Sequence, residues 1–141
     1  MLQAGEVAAD QLAFKCRKLP TIPKKGEIHT EASLLYRLCR RGGGDMHGWL
    51  KWWAYHWLSE ESGHPPNLEV TVRGYGRVDV HCPEISIFLE CGNTSPTHAI
   101  NALKGRLCTQ FIVLPFQRAA FENAVMSGCQ KLKAFSFQLS R

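Results

Sequence analysis

Residues 77–94 read "RVDVHCPEISIFLECGNT". Two runs of alternating apolar residues, "GRVDVHC" (76–82) and "ISIFLECG" (85–92), are separated by Pro83. Period-two alternation broken by a proline predicts two short strands joined by a turn. Each strand carries one carboxylate among apolar neighbours, Asp79 in the first and Glu90 in the second. Side chains alternate along a strand. That predicts Val78, Val80 and Cys82 on one face, with Arg77, Asp79 and His81 on the other. In the next strand Ile85, Ile87, Leu89 and Cys91 share a face, opposite Ser86, Phe88, Glu90 and Gly92. A four-residue connection, Pro83 to Ser86, sets Asp79 across from Glu90. Like charges so placed repel, and a divalent cation would reverse the penalty, because hard oxygen ligands suit Mg²⁺. A two-residue turn would instead offset the acids by about four positions. Spacing leaves both registers open. It also leaves open a structural use of the acids, with Asp79 paired to Arg77 or Arg73 and Glu90 capping the next helix.

The same reading extends along the chain. "LEVTVRG" (68–74) is a preceding strand, with Gly74 and Gly76 in the turn. After the hairpin, Ser95 and Pro96 stand in cap-then-proline order at a helix start, and Ile100, Leu103 and Leu107 form its apolar face. "CTQFIVLPF" reads as a buried strand, "QRAAFENAVMSG" as an amphipathic helix and "KAFSFQL" as a last strand. Upstream, "TEASLLYRLCRR" predicts a helix capped by Thr30, and "MHGWLKWWAYHWLSEESG" a second one ended by Gly63 and the prolines after it. Trp49, Trp52, Trp53, His56 and Trp57 recur at helical spacing, which suits packing onto a sheet better than stacking on bases. Residues 1–29 read as irregular or weakly helical, with "KLPTIPKKGE" as a linker. The expected order is α–α–β–β–β–α–β–α–β.

Bulk composition narrows the class. The chain has 141 residues, 45% of them hydrophobic, which is one domain with a real core. No apolar run is long enough to span a membrane. The N-terminal order of acids before bases is wrong for a secretory signal, so a cytoplasmic location is expected. The six cysteines include no CxxC pair and sit mostly in apolar segments, as buried small hydrophobes would. The net charge of +5 is unevenly spread. Residues 61–100 hold two Lys/Arg against five Asp/Glu, whereas residues 101–141 hold six against one. An acidic middle within a basic chain fits a polyanion-binding surface around a cation-binding centre.

The order of elements, with acids on successive strands, resembles the PD-(D/E)XK nuclease superfamily and its restriction-endonuclease-like fold. The resemblance covers residues 28–115 as an αβββαβ core. It implies an α/β domain whose mixed central sheet is flanked by helices. Residues 1–27 would form an N-terminal extension, and residues 116–141 an added C-terminal helix and strand. Val78–Asp79 would stand for the Pro-Asp element, and Glu90-Cys91-Gly92 for the acid-X-Lys triplet. Glu31 would match the acid that many members carry on the first helix. The implied activity is metal-dependent hydrolysis of DNA phosphodiesters, with Mg²⁺ or Mn²⁺ held by Asp79, Glu90 and the Cys91 carbonyl. Arg40, Arg41, Arg73, Arg77 and Arg106 would bind backbone phosphates. A dimer is expected, because one such core cuts one strand at a time. The chain departs from the pattern at Gly92, where a lysine is expected. His98 and Lys104 on the following helix are the candidates to replace it, His98 as a general base. The alternative is a nuclease-like domain that no longer hydrolyses and binds nucleic acid or a protein partner.

Overall fold

The computed structural model describes residues 7–14, 39, 44–92, 94–117 and 132–139. Their regular elements, in chain order, are β1 (Val7–Phe14), α1 (Asp45–Ser62), β2 (Asn67–Val72), β3 (Gly76–Cys82), β4 (Ile87–Cys91), α2 (Pro96–Lys104), β5 (Gln110–Leu114) and β6 (Leu132–Leu139). The strands form one sheet in the order β1-β6-β5-β4-β3-β2. β4 and β5 run parallel, and every other neighbouring pair is antiparallel. The domain is α/β with a mixed sheet.

Local chemistry sets the boundaries. Gly63 ends α1 in the left-handed region at φ 73°, and its N–H returns to the Ser59 carbonyl at 2.9 Å. The Ser95 hydroxyl accepts the Thr97 N–H at 3.3 Å, and Pro96 opens α2. Pro83–Ile85 make one 3-10 turn, and Ser86 follows at φ 55°. Cys82 then pairs with Ile87, so the connection between β3 and β4 is Pro83–Ser86. The four-residue register holds, and counting along the ladder sets Asp79 opposite Glu90.

The helices cover opposite faces of the sheet. Trp49, Leu50 and Trp53 of α1 pack with Val80, Leu89, Cys91 and Ile112. Ala99, Ala102 and Leu103 of α2 pack with Val78, Phe88 and Phe111. Trp49, Trp52 and Trp53 are all buried, which is the packing role expected of them. Cys39, Cys82, Cys91 and Cys108 are buried free thiols. Burial pushes the Cys39 thiol up to about 12 and that of Cys108 to about 11, so neither is a thiolate nucleophile at neutral pH. No helix among the described residues is long and apolar enough to cross a membrane.

Two expectations change. Residues 7–14 form a strand rather than an irregular or weakly helical segment, paired along its length with β6 from Val7↔Leu139 to Phe14↔Leu132. This contact is remote in sequence, and the alanines, Asp10 and Gln11 carry weak strand propensity, so local pattern does not mark it. The alternation of β3 is also broken. Val80 and Cys82 face α1, but Val78 joins the cluster under α2. The paired strand β2 switches at the same level, with Leu68 toward α1 and Val70 and Val72 toward α2. The residue between them, Glu69, sits at φ 52° and turns the ribbon over. The expected helices over residues 30–41 and 117–128 lie outside the described residues, apart from Cys39, whose backbone is helical, and the non-helical Gln117.

Leu89 is fully buried at the centre of the sheet. Leu89→Ala is expected to cost about 2–5 kcal/mol of unfolding free energy, read as a lower urea midpoint.

Candidate functional site

The β3–β4 ladder pairs Val80 with Leu89 and goes no further toward Asp79. Beyond that point the two acids take over the backbone hydrogen bonds. The Asp79 N–H donates to Glu90 Oε1 at 2.7 Å, and the Cys91 N–H donates to Asp79 Oδ2 at 2.8 Å. The second Glu90 oxygen, Oε2, accepts the Tyr75 hydroxyl at 3.1 Å. Burial raises the Glu90 carboxyl from its ordinary 4.5 to about 7. The Asp79 N–H works against that rise, while the charges of Asp79 and Glu69 add to it.

Asp79 turns toward α1. Its Oδ2 lies 3.2 Å from His47 Nε2 in the first turn of that helix. Glu69 joins them, and one ligand atom each from His47, Glu69 and Asp79 lie within 4.8 Å of one another. Lys51, one helical turn after His47, is fully buried and reaches Glu69 Oε1 at 2.6 Å. Arg77, 65% exposed, holds Glu69 Oε2 at 2.8 Å through its Nε. Arg77 therefore pairs with Glu69, and the start of α2 is capped by Ser95 rather than Glu90. His47, Glu69 and Lys51 were not among the sequence candidates. The i, i+4 spacing of His47 and Lys51 on one helix face was the available signal.

Glu90 turns the other way, toward α2. With Gly74, Tyr75, Arg77, His98 and Asn101 it lines a cavity of about 200 Å³. The His98 ring meets the Tyr75 ring edge-on at 6.0 Å. His98 thus reaches the Glu90 side of the site, while Lys104 is exposed in the last turn of α2 and does not line this cavity. Arg73 and Arg106 are exposed, and Leu107 packs beside Gly74, so the β2–β3 turn and the loop after α2 lie together. The Cys91 side chain is buried in the core under α1. Glu31, Arg40 and Arg41 lie outside the described residues.

Gly92 follows at φ 100°, its N–H on the Leu114 carbonyl at 2.8 Å. A Cβ there would stand 2.7 Å from Cζ of the Phe116 ring. That ring also lies 6.5 Å from the His47 ring. The site can therefore gather a cation between His47, Glu69 and Asp79, and can keep a proton on Glu90 near neutral pH. No protein-family model, curated protein or solved structure matches the chain.

Two outcomes follow for metal-free protein. From pH 4.5 to about 7 the folded state keeps a proton on Glu90 that the unfolded chain has released, so this group's stabilising contribution falls as pH rises through that window. Glu90→Gln is expected to flatten that fall and to exceed the wild type at pH ~8 by up to about 3 kcal/mol, measured by urea unfolding at each pH. Gly92→Ala is expected to lower stability by about 1–3 kcal/mol, since the new methyl meets Phe116 and the left-handed backbone strains any L residue. A midpoint unchanged by Gly92→Ala would contradict this geometry.

Proposed function

We propose that the chain is a metal-dependent nuclease that hydrolyses phosphodiester bonds in DNA. On this reading it has a restriction-endonuclease-like core of PD-(D/E)XK type without the triplet lysine. The observation that carries the reading is the register of β3 on β4. It brings Asp79 and Glu90 to opposite positions at the point where the strands part, each carboxylate bonded to backbone of the other strand. The three antiparallel strands, the crossover helix α2 and the parallel strand β5 are consistent with that core.

On this reading Asp79, Glu90 and the Cys91 carbonyl would hold Mg²⁺ or Mn²⁺ through hard oxygen donors, which requires one carboxylate to rotate, since Asp79 turns toward His47 and Glu90 toward Tyr75. Such an ion supplies charge withdrawal from the phosphate and a lowered pKa for the attacking water. His98, which lines the same cavity as Glu90, would serve as the general base that accepts a proton there. Arg73, Arg77 and Arg106, all exposed, would hold backbone phosphates. Cleavage is expected to show no sequence preference. Two copies would be needed to cut both strands.

The test is incubation with plasmid, linear and branched DNA in Mg²⁺, Mn²⁺ or EDTA. Metal-dependent cleavage is expected, lowered about 10²-fold or more by Asp79→Asn and by Glu90→Ala, and about 10²–10⁴-fold by His98→Ala. Cleavage that persists in Glu90→Ala sinks the proposed site. The loss of a lysine at position 92 supports a second reading, a nuclease-like domain that binds nucleic acid or a protein partner without cutting. Salt-sensitive DNA binding with no cleavage of any substrate would favour it.

A further inference from the structure

We propose that His47, Glu69 and Asp79 form a binding site for a divalent first-row transition-metal ion, which the site takes in preference to Mg²⁺. The three side chains come from α1, β2 and β3, and their ligand atoms lie within 4.8 Å of one another. Donors at about 2.0–2.2 Å from one ion stand up to about 4.4 Å apart, so small side-chain rotations close the set. Each ligand is placed by the fold. His47 projects from the first turn of α1, above the buried Lys51. Glu69 is aimed by its left-handed backbone at φ 52°. Asp79 is opposite Glu69 in the β2–β3 register, between the pairs Leu68↔Val80 and Val70↔Val78.

The donor set selects the ion. Two carboxylates alone would suit Mg²⁺, which prefers an all-oxygen octahedral shell and keeps its waters. An imidazole nitrogen among them favours first-row transition metals. With no cation between them, His47 Nε2 and Asp79 Oδ2 share a hydrogen bond at 3.2 Å. His47 Nδ1 is buried and has no hydrogen-bond partner among the described residues, so no bond through that atom locks the tautomer. The proton can stand on Nδ1 while Nε2 offers its lone pair to an ion. Glu69 is held on one oxygen by the buried Lys51 and on the other by Arg77. Arg77 is 65% exposed and can swing into solvent, freeing Oε2 for the ion. Arg77 therefore competes with the metal.

The inference concerns binding alone and does not need the nuclease reading. Its test uses the full, metal-stripped chain with Mn²⁺ or Mg²⁺ and no DNA. Calorimetry is expected to show Mn²⁺ bound at least about tenfold more tightly than Mg²⁺. Pulsed EPR of the Mn²⁺-loaded chain is expected to show nitrogen modulation from a directly bound imidazole. His47→Ala removes that modulation and weakens Mn²⁺ binding by about tenfold or more. Arg77→Gln tightens Mn²⁺ binding about threefold, a gain that misfolding does not mimic. Mn²⁺ bound without nitrogen modulation, modulation that survives His47→Ala, or an affinity indifferent to Arg77→Gln overturns the site. If His47→Ala does not fold, the wild-type modulation and the Arg77→Gln gain still decide. Failure here leaves the nuclease reading standing, and nitrogen-bound Mn²⁺ without DNA cleavage would sink that reading alone.

Discussion

Asp79 and Glu90 hold the end of the β3–β4 hairpin together by accepting backbone N–H groups that the ladder leaves behind. A buried N–H without a partner costs about as much as a lost hydrogen bond. Such bonds contribute about 0.5–1.5 kcal/mol each, and about 1.5–3 kcal/mol where the acceptor is ionised. Both acids therefore have a structural duty, through the Cys91 N–H and the Asp79 N–H. The same exchange sets where their carboxylates stand. Because the strands part after Val80↔Leu89, the carboxylates stand in a gap instead of on a flat face. One opens toward His47 of α1, and the other toward Tyr75 and the cavity lined by residues of α2.

That division depends on the turn-over of the β2–β3 ribbon at Glu69. A regular ribbon would keep Leu68, Val70 and Val72 on one face. Here Leu68 and Val80 serve the core under α1, while Val70, Val72 and Val78 serve the core under α2. A left-handed conformation at a glutamate costs on the order of 1–3 kcal/mol. The buried Lys51 offsets part of this, since an ammonium without a partner in a tryptophan-lined core would cost several kcal/mol. Glu69 meets it at 2.6 Å. Strain and ion pair stabilise each other: the backbone reversal aims the carboxylate, and the lysine holds it there. Glu90 carries the electrostatic consequence. Burial, with the charges of Asp79 and Glu69 adding to it, keeps its proton on to about pH 7.

The parts of this arrangement that follow local rules were legible. β3 falls on the predicted residues, Gly76–Cys82, because strict alternation ends at Pro83. Ser95 and Pro96 mark the start of α2 because cap chemistry is local. The register of Asp79 and Glu90 was legible only as one of two options, since connection length and not composition fixes it. The remainder rests on features with no local signature. Glu69 looks like an ordinary outward residue in "LEVTV", and glutamate, unlike Gly or Asn, does not advertise a left-handed backbone. Lys51 sits in "WLKWWA", where a lysine is expected to extend to solvent. Its burial is set by tertiary packing of α1. β1 and β6 meet across more than a hundred residues of chain, and only the β6 alternation announced itself.

Gly92 shows how the fold restricts what the site can contain. The acid-X-Lys pattern expected from the sequence asks for a lysine at this position, two residues after Glu90. The backbone there is left-handed, hydrogen-bonded across to Leu114 at the end of β5, and covered by the Phe116 ring. An L side chain at φ 100° would be strained even if Phe116, 46% exposed, moved away. The absence of lysine is thus part of the local architecture, tied to how β4 leaves the sheet. Positive charge near the acids enters from other elements, Lys51 from α1 and Arg77 from β3. Both are bound to Glu69 rather than to Glu90. The α1 side of the gap is therefore the side where the carboxylate charge is paired. The α2 side holds a carboxyl raised toward neutrality beside Tyr75 and His98.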